Sequence, residues 1–297
     1  MSVLVVGANG LVGSSLVRTC LDCEIAVSGT YHTEQPVFDV DLFDLDVRDT
    51  QRVREVIEQV EPNVVVNCAA YTDVDGCEEN PKLASRVNAD APGVLAEECG
   101  ERDISFVHLS TDYVFDGEAD KPYTEDDEPN PIQVYGETKL DGEKRVLEAH
   151  PESVVCRLSF VWGRHGSTGE LEGFPAWVLR RAQSGDMVPL FTDQWVTPTR
   201  AGYTAEVVLE LVERDSEGLF HIASQSCVTP YEFGRLVLEN EEMSTTGLLE
   251  ESSLDDVERA ASRPRYTCLS TDRIVKGLGH DQPMVEPAVS TVLSTEN

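Results

Sequence analysis

The stretch Gly7-Ala8-Asn9-Gly10-Leu11-Val12-Gly13 constrains this chain more than any other. It follows an apolar run at residues 3–6 that reads as a buried strand, and it opens a helical pattern over residues 11–21. Gly7 lets the chain turn tightly. Gly10 leaves the backbone bare for close approach of a ligand, and Gly13 lets the helix pack near the sheet. In that context the helix start offers unpaired N–H groups and partial positive charge to a dinucleotide pyrophosphate.

The spacing is G-x-x-G-x-x-G. The tip of the second strand (Ser28, Gly29, Thr30, Tyr31, His32) carries no Asp or Glu. A carboxylate there would hold the ribose 2′-hydroxyl of NAD, so NADPH is expected, with NADH left open by the nearby Glu34. His32 or Arg18 is expected to meet a 2′-phosphate. Asp46 and Val47, after a third strand at 42–45, are placed to contact the adenine edge.

Downstream, strands and helices alternate. Thr50 reads as the N-cap of a helix that buries Val53, Val56, Ile57 and Val60 and stops at Pro62. Strands at 63–68, 104–109 and 154–158 are interleaved with helices at 81–100 and 133–149. This pattern predicts an α/β fold, a Rossmann-type doubly wound parallel sheet with helices on both faces. Later helices are expected at 174–184, 203–214 and 231–241, strands at 188–191 and 219–222, and a polar loop or loose helix at 247–265. No Pro/Gly/Ser-rich linker divides the chain. A nucleotide-binding domain is expected over 1–155. A smaller, intimately packed substrate-binding part is expected over 156–297, with some chain returning to the first domain.

Charge narrows the partners. Asp and Glu total 55 against 23 Lys and Arg, a net −32, and only five residues are Lys. Such a chain repels nucleic acid and anionic lipid. The apolar runs argue for a folded protein rather than disorder. A carboxylate-rich, lysine-poor surface resembles proteins of salt-loving organisms, in which molar salt shortens the screening length to about 3 Å. No run of 18 apolar residues and no basic-then-apolar leader are present, so a cytoplasmic protein is expected. The eight Cys are expected as thiols in a reducing compartment. Cys20 and Cys23 have half of a metal-site spacing, with no partners to complete it, so no metal is expected.

Tyr135 and Lys139 are four residues apart in a helical pattern and so share a face. A phenol near pKa 10 is a poor acid–base catalyst at neutral pH, and an adjacent ammonium is expected to lower it toward the working range. Ser110 and Thr111, at the end of the preceding strand, supply hydroxyls beside them.

With these residues the chain resembles the extended short-chain dehydrogenase/reductases, and within them the dTDP-4-dehydrorhamnose reductases. The matching stretches include the glycine turn, Asn67-Cys68-Ala69-Ala70-Tyr71-Thr72-Asp73-Val74-Asp75, Val87-Asn88-Ala89, and Ser110-Thr111-Asp112-Tyr113-Val114-Phe115. They continue through residues 134–143, Arg157-Leu158-Ser159, Asp193-Gln194, Pro198-Thr199 and Arg263-Pro264, spanning almost the whole chain.

The resemblance implies reduction of the 4-keto group of a nucleotide-linked 6-deoxy sugar. It gives Thr111 the hydroxyl role, Tyr135 the proton donation, and Lys139 the nicotinamide ribose and the tuning of Tyr135. Ala69, Ala70 and Tyr71 would line the cofactor beside Gly7, Asn9, Gly10, Leu11, Val12 and Gly13. Thr72, Val74, Thr111, Asp112, Phe160 and Arg263 would contact substrate, Arg263 at its diphosphate. Three departures fall in the substrate half. Phe160 stands where the family has Trp, so that stacking is expected to weaken or pass to Trp162. The family's Asn just before Phe174 is missing, with residues 167–172 reading as a small insertion, and Val196 replaces a Gly. Two other readings stay open: a reductase of a different nucleotide-linked keto sugar, and an NADP-binding regulatory subunit of another enzyme. A homodimer is left open too.

Overall fold

The computed structural model describes residues 1–294. The first half runs β1 (Ser2–Val6), α1 (Leu11–Asp22), β2 (Ala26–Tyr31), β3 (Leu42–Asp44), α2 (Thr50–Val60) and β4 (Val64–Asn67). It continues with α3 (Val74–Glu79), α4 (Pro81–Ser85), α5 (Ala91–Gly100), β5 (Ser105–Thr111), α6 (Val134–Ala149) and β6 (Val154–Leu158). Then come β7 (Val161–Arg164), β8 (Leu171–Glu172), α7 (Phe174–Gln183), β9 (Val188–Phe191), β10 (Thr199–Arg200) and α8 (Ala201–Glu213). The chain closes with β11 (Gly218–Ile222), α9 (Pro230–Asn240), β12 (Leu249–Ser252), α10 (Asp272–Leu278) and α11 (Val285–Leu293).

Seven strands form one sheet in the order β11-β6-β5-β4-β1-β2-β3, every pairing parallel. This is the Rossmann-type fold that the alternation predicts. Alternation within each strand feeds both faces. Val3 and Val5 join Leu16, Val17, Val208 and Leu211 on the face covered by α1 and α8. Leu4 and Val6 join Val56, Ile57, Leu95 and Phe106 on the face covered by α2 and α5. The strand order reverses between β1 and β4, which opens a crevice at their carboxyl ends. A separate cluster of Trp162, Val178, Leu190, Phe233, Val237 and Val289 builds the second half. β6 runs across residue 155, and β11 from the second half lies beside it in the main sheet. The part expected over 156–297 ends outside the described residues.

Several expectations are corrected. Asp49, not Thr50, caps α2, because its carboxylate accepts the Arg52 N–H one residue before the helix begins. The helix expected over 81–100 is broken by a π-helical turn at Arg86–Asp90. Pro92 has no N–H to give the Asn88 carbonyl, so the regular bonding pattern cannot pass that point. The region 247–265 contains β12, which pairs in parallel with β9. Cys227 and Cys268 are not thiols but a disulfide. Neighbouring segments that pair through Trp195–Tyr266 and Val196–Val228 bring their Cα atoms to 5.6 Å. Among the described residues no helix is long and apolar enough to cross a membrane, and no group of three or more His, Cys, Asp or Glu is placed to hold a metal.

Candidate active site

The β1–α1 turn is shaped by its glycines. Gly7 has φ +87°, and a Cβ on it would press on the Ala69 backbone; a Cβ on Gly13 would collide with the Gly7 carbonyl oxygen. Gly10 is different. It is exposed, and the only neighbour of a Cβ there would be that same oxygen at 3.6 Å. α1 begins with no side-chain cap and no acidic residue in its first turn, so its leading N–H groups lack intrahelical partners. That bare helix start, fronted by open space at Gly10, fits a pyrophosphate.

A cleft of about 440 Å³ lies in front of it. Gly7, Asn9, Gly10, His32, Asp46, Val47, Ala69, Ala70 and Tyr71 line it. Leu11, Val12 and Gly13 stand behind it, Val12 packed toward the core. Thr30, Tyr31, Thr33, Leu45, Arg48, Cys68, Leu83 and Val87 complete the lining. Arg18 is corrected: its Nε donates to the Gly166 carbonyl at 3.0 Å and its guanidinium lies over Phe38. Arg48, beside His32, is the cation that sequence reasoning missed. It grips Asp46 with both Nε and Nη2, at 2.8 and 2.6 Å, and those bonds hold the Asp46 carboxyl down at about 2.

The catalytic candidates meet where β5 ends against α6. Gly136 and Gly142 have no room for a Cβ, against the Tyr113 and Asn88 carbonyl oxygens, so α6 sits hard on residues 112–114 and on the π turn. Thr111 Oγ1 donates to Asp112 Oδ1 at 3.2 Å and Ser159 Oγ donates to Oδ2 at 2.7 Å. Burial pushes the Asp112 carboxyl up to about 6, against the bonds from Thr267, Ser159 and Thr111. The Tyr135 ring meets Tyr113 edge-on at 6.0 Å. Burial pushes its phenol well above the usual tyrosine range, and a hydrogen bond with Thr111 opposes this only in part.

This corrects the expected lowering by Lys139. The Lys139 amino group is turned toward β5, with Nζ donating to the Leu109 carbonyl at 2.6 Å and lying 3.3 Å from His108 Nε2. Burial brings Lys139 down to about 8. One turn on, Glu143 is paired with Arg157 and accepts from Ser110, all buried. Asn88 was quoted only as a family match. On the π turn it bonds both backbone groups of Tyr71, at 2.8 and 3.1 Å, and reaches Thr138 Oγ1 at 3.3 Å, tying the cleft floor to α6. Pro92, four residues on, was the available signal.

The far end is built from side chains. Arg263 pairs with Asp75 at 2.8 Å, and Asp75 also accepts the Ala261 N–H. Arg259 lies near enough to Arg263 and Tyr113 to interact electrostatically with both. Arg265, Asp193 and Asp255 clasp the segment after β12. Thr72 is exposed between β4 and α3, and Val74 starts α3. Phe160, at φ +47°, packs on Phe174 and Phe233. Trp162 cannot take over stacking on a sugar, because it is 1% exposed in the apolar cluster. Val196 is buried and pairs with Val228. The insertion begins against the nucleotide half. Just before it, His165 bonds the Asn9 carbonyl and Gly166 N–H donates to Ser14, and its first residue, Ser167, bonds Val37, so residues 165–167 strap the back of the glycine turn.

The chain matches the RmlD substrate binding domain family over residues 1–297. It is 50% identical over 286 residues to a probable low-salt glycan biosynthesis reductase, Agl14, of Haloferax volcanii, covering 96% of this chain and 95% of that one. It is 30% identical to a dTDP-4-dehydrorhamnose reductase of Aggregatibacter actinomycetemcomitans, covering 93% and 92%. The crystal structure of a dTDP-4-dehydrorhamnose reductase from Bacillus anthracis in complex with NADP superposes with a TM-score of 0.87 at 25% identity, covering 99% and 98%. The chain belongs to the RmlD substrate binding domain family.

Proposed function

We propose that this member of the RmlD substrate binding domain family is an NADPH-dependent reductase of the 4-keto group of a nucleotide-linked 6-deoxy sugar, dTDP-4-dehydro-L-rhamnose first among them. The observation that carries this is the meeting of Thr111, Asp112 and Tyr135 at the carboxyl end of β5, beside a cleft fitted to a dinucleotide. When bound, the reduced nicotinamide supplies a hydride. Gly7, Asn9, Gly10 and the start of α1 would hold its pyrophosphate, and Ala69, Ala70 and Tyr71 would floor its cleft. His32 and Arg48 support a 2′-phosphate and hence NADPH.

Tyr135 keeps its proton at working pH because burial disfavours the phenolate. It is therefore a proton donor for a keto oxygen gaining negative charge, which is the direction reduction needs. Thr111 orients that phenol. Lys139 would reach the nicotinamide ribose, and Asp112, raised to about 6, would bond a sugar hydroxyl. Arg259 and Arg263 supply cations for a substrate diphosphate.

The test is direct. The protein is incubated in high salt with NADPH and a panel of nucleotide-linked 4-keto-6-deoxy sugars, and absorbance of the reduced cofactor is followed. Consumption with the dTDP sugar supports the reading. Consumption only with another member of the panel reassigns the sugar, and none with any member removes the reductase reading.

A further inference from the structure

The hydrogen bonds around His108 assign a proton that the mechanism above leaves open. Asn67 Oδ1 accepts the Ala69 backbone N–H at 3.1 Å. A backbone N–H can only donate, so the Asn67 amide is fixed with its NH2 toward β5. That NH2 lies 3.1 Å from His108 Nδ1, which must then be a bare acceptor. His108 is 0% exposed, and burial holds its imidazole neutral, well below the usual range. A neutral ring with a bare Nδ1 carries its hydrogen on Nε2. Nε2 is 3.3 Å from Lys139 Nζ.

An ammonium has three N–H donors and no lone pair, so it cannot accept that hydrogen. A neutral amine can. It would accept from His108, donate to the Leu109 carbonyl at 2.6 Å, and keep one N–H for a ligand. The remaining surroundings agree. Lys139 is 2% exposed and has no carboxylate within ion-pair distance among the described residues. Glu143 on its own helix is already matched by Arg157 and Ser110. Cys68, after β4, is held as a neutral thiol by burial. Tyr135, one turn back, keeps its proton.

We propose that His108 is a positioning residue that favours the neutral amine form of Lys139 in the ligand-free protein, with Asn67 fixing the tautomer that does so. The meaning for catalysis rests on the reductase reading, but the charge state itself does not. Burial acts in the same direction, bringing Lys139 down to about 8.

The test uses the full chain without substrate or cofactor, labelled with ¹⁵N in lysine or in histidine. Only five lysines are present, and four of them are exposed. One Nζ signal is expected to titrate near 8. It is assigned by its loss in Lys139→Arg. The His108 ring is expected with hydrogen on Nε2 and a bare Nδ1. Asn67→Asp presents an acceptor to Nδ1, so the tautomer is expected to reverse and the Lys139 midpoint to rise by about one unit or more. A Lys139 that titrates in the range of a free lysine, near ~10.4, or a His108 protonated on Nδ1, overturns the proposal whether or not the variant folds. Either failure leaves the reductase reading standing, since no turnover is measured.

Discussion

The two ends of the proposed site are made of different material. At the proposed nucleotide end the pyrophosphate would meet backbone: a glycine turn and the open start of α1, beside the floor at Ala69 and Ala70. At the sugar end they are side chains brought from distant segments. Asp75 and Arg263 are 188 residues apart in sequence, and Arg265 reaches back to Asp193. A backbone site needs only a local conformation, which glycine spacing specifies. A side-chain site needs the whole fold to bring its partners together. The first end tolerates little change in its glycines, whereas the second can be retuned one side chain at a time.

Four experiments sharpen or break this contrast. The largest effect belongs to the junction of the two ends. Tyr135→Phe is expected to cut turnover by about 10²–10⁴-fold while NADPH affinity is kept. A variant that turns over near the native rate, with chemistry limiting, removes Tyr135 from the role of acid.

The nucleotide end comes next. In Gly10→Val the side chain has room in the protein but projects where a pyrophosphate would lie, so NADPH affinity should fall by at least about tenfold with little change in Tm. Gly13→Val should instead lower Tm, since its Cβ meets the Gly7 carbonyl. Calorimetry and melting curves separate the two; unchanged affinity in Gly10→Val would break the assignment of the turn.

At the sugar end, Arg263→Ala should raise KM for the nucleotide sugar by roughly tenfold and leave KM for NADPH alone, the loss of one charge-assisted contact. Equal rises in both would mean that Arg263 only holds Asp75 and α3 in place.

The smallest effect is spread over both ends. With a net charge of −32, Tm should rise by several degrees between 0.1 and 3 M KCl as the screening length falls from about 10 to about 3 Å. A flat or falling Tm would mean that the acidity does not limit the stability of the fold.

What could be read from the chain follows the same division. Residues 3–6 and 64–67 announced themselves as buried strands because both faces of a parallel strand are apolar. The Tyr135–Lys139 pair followed from helical spacing. Its chemistry did not, because spacing puts two side chains on one face without saying where each points; Lys139 turned to the Leu109 carbonyl. Arg18, on the helix that follows the glycine turn, is drawn away by the 165–167 strap, and Arg48 lines the cleft instead. The π turn at Arg86–Asp90 was hidden because Pro92 reads as an acceptable helix residue until the missing N–H is followed back to Asn88. The disulfide depended on which loops lie side by side, and no local pattern carries that.

The place of β11 in the sheet has a consequence for how this chain can be made. β6 is buried along its whole length, yet its outer neighbour is β11, from the last third of the sequence. As the chain leaves the ribosome, Val154, Val155 and Leu158 form an apolar strand with one row of N–H and C=O groups unpaired until residues 218–222 arrive. An open edge of that kind is a template for other chains. A fragment cut at the apparent end of the nucleotide-binding unit would keep the glycine turn and the Tyr135 helix and still expose that edge. It would aggregate more readily than the chain of residues 1–297.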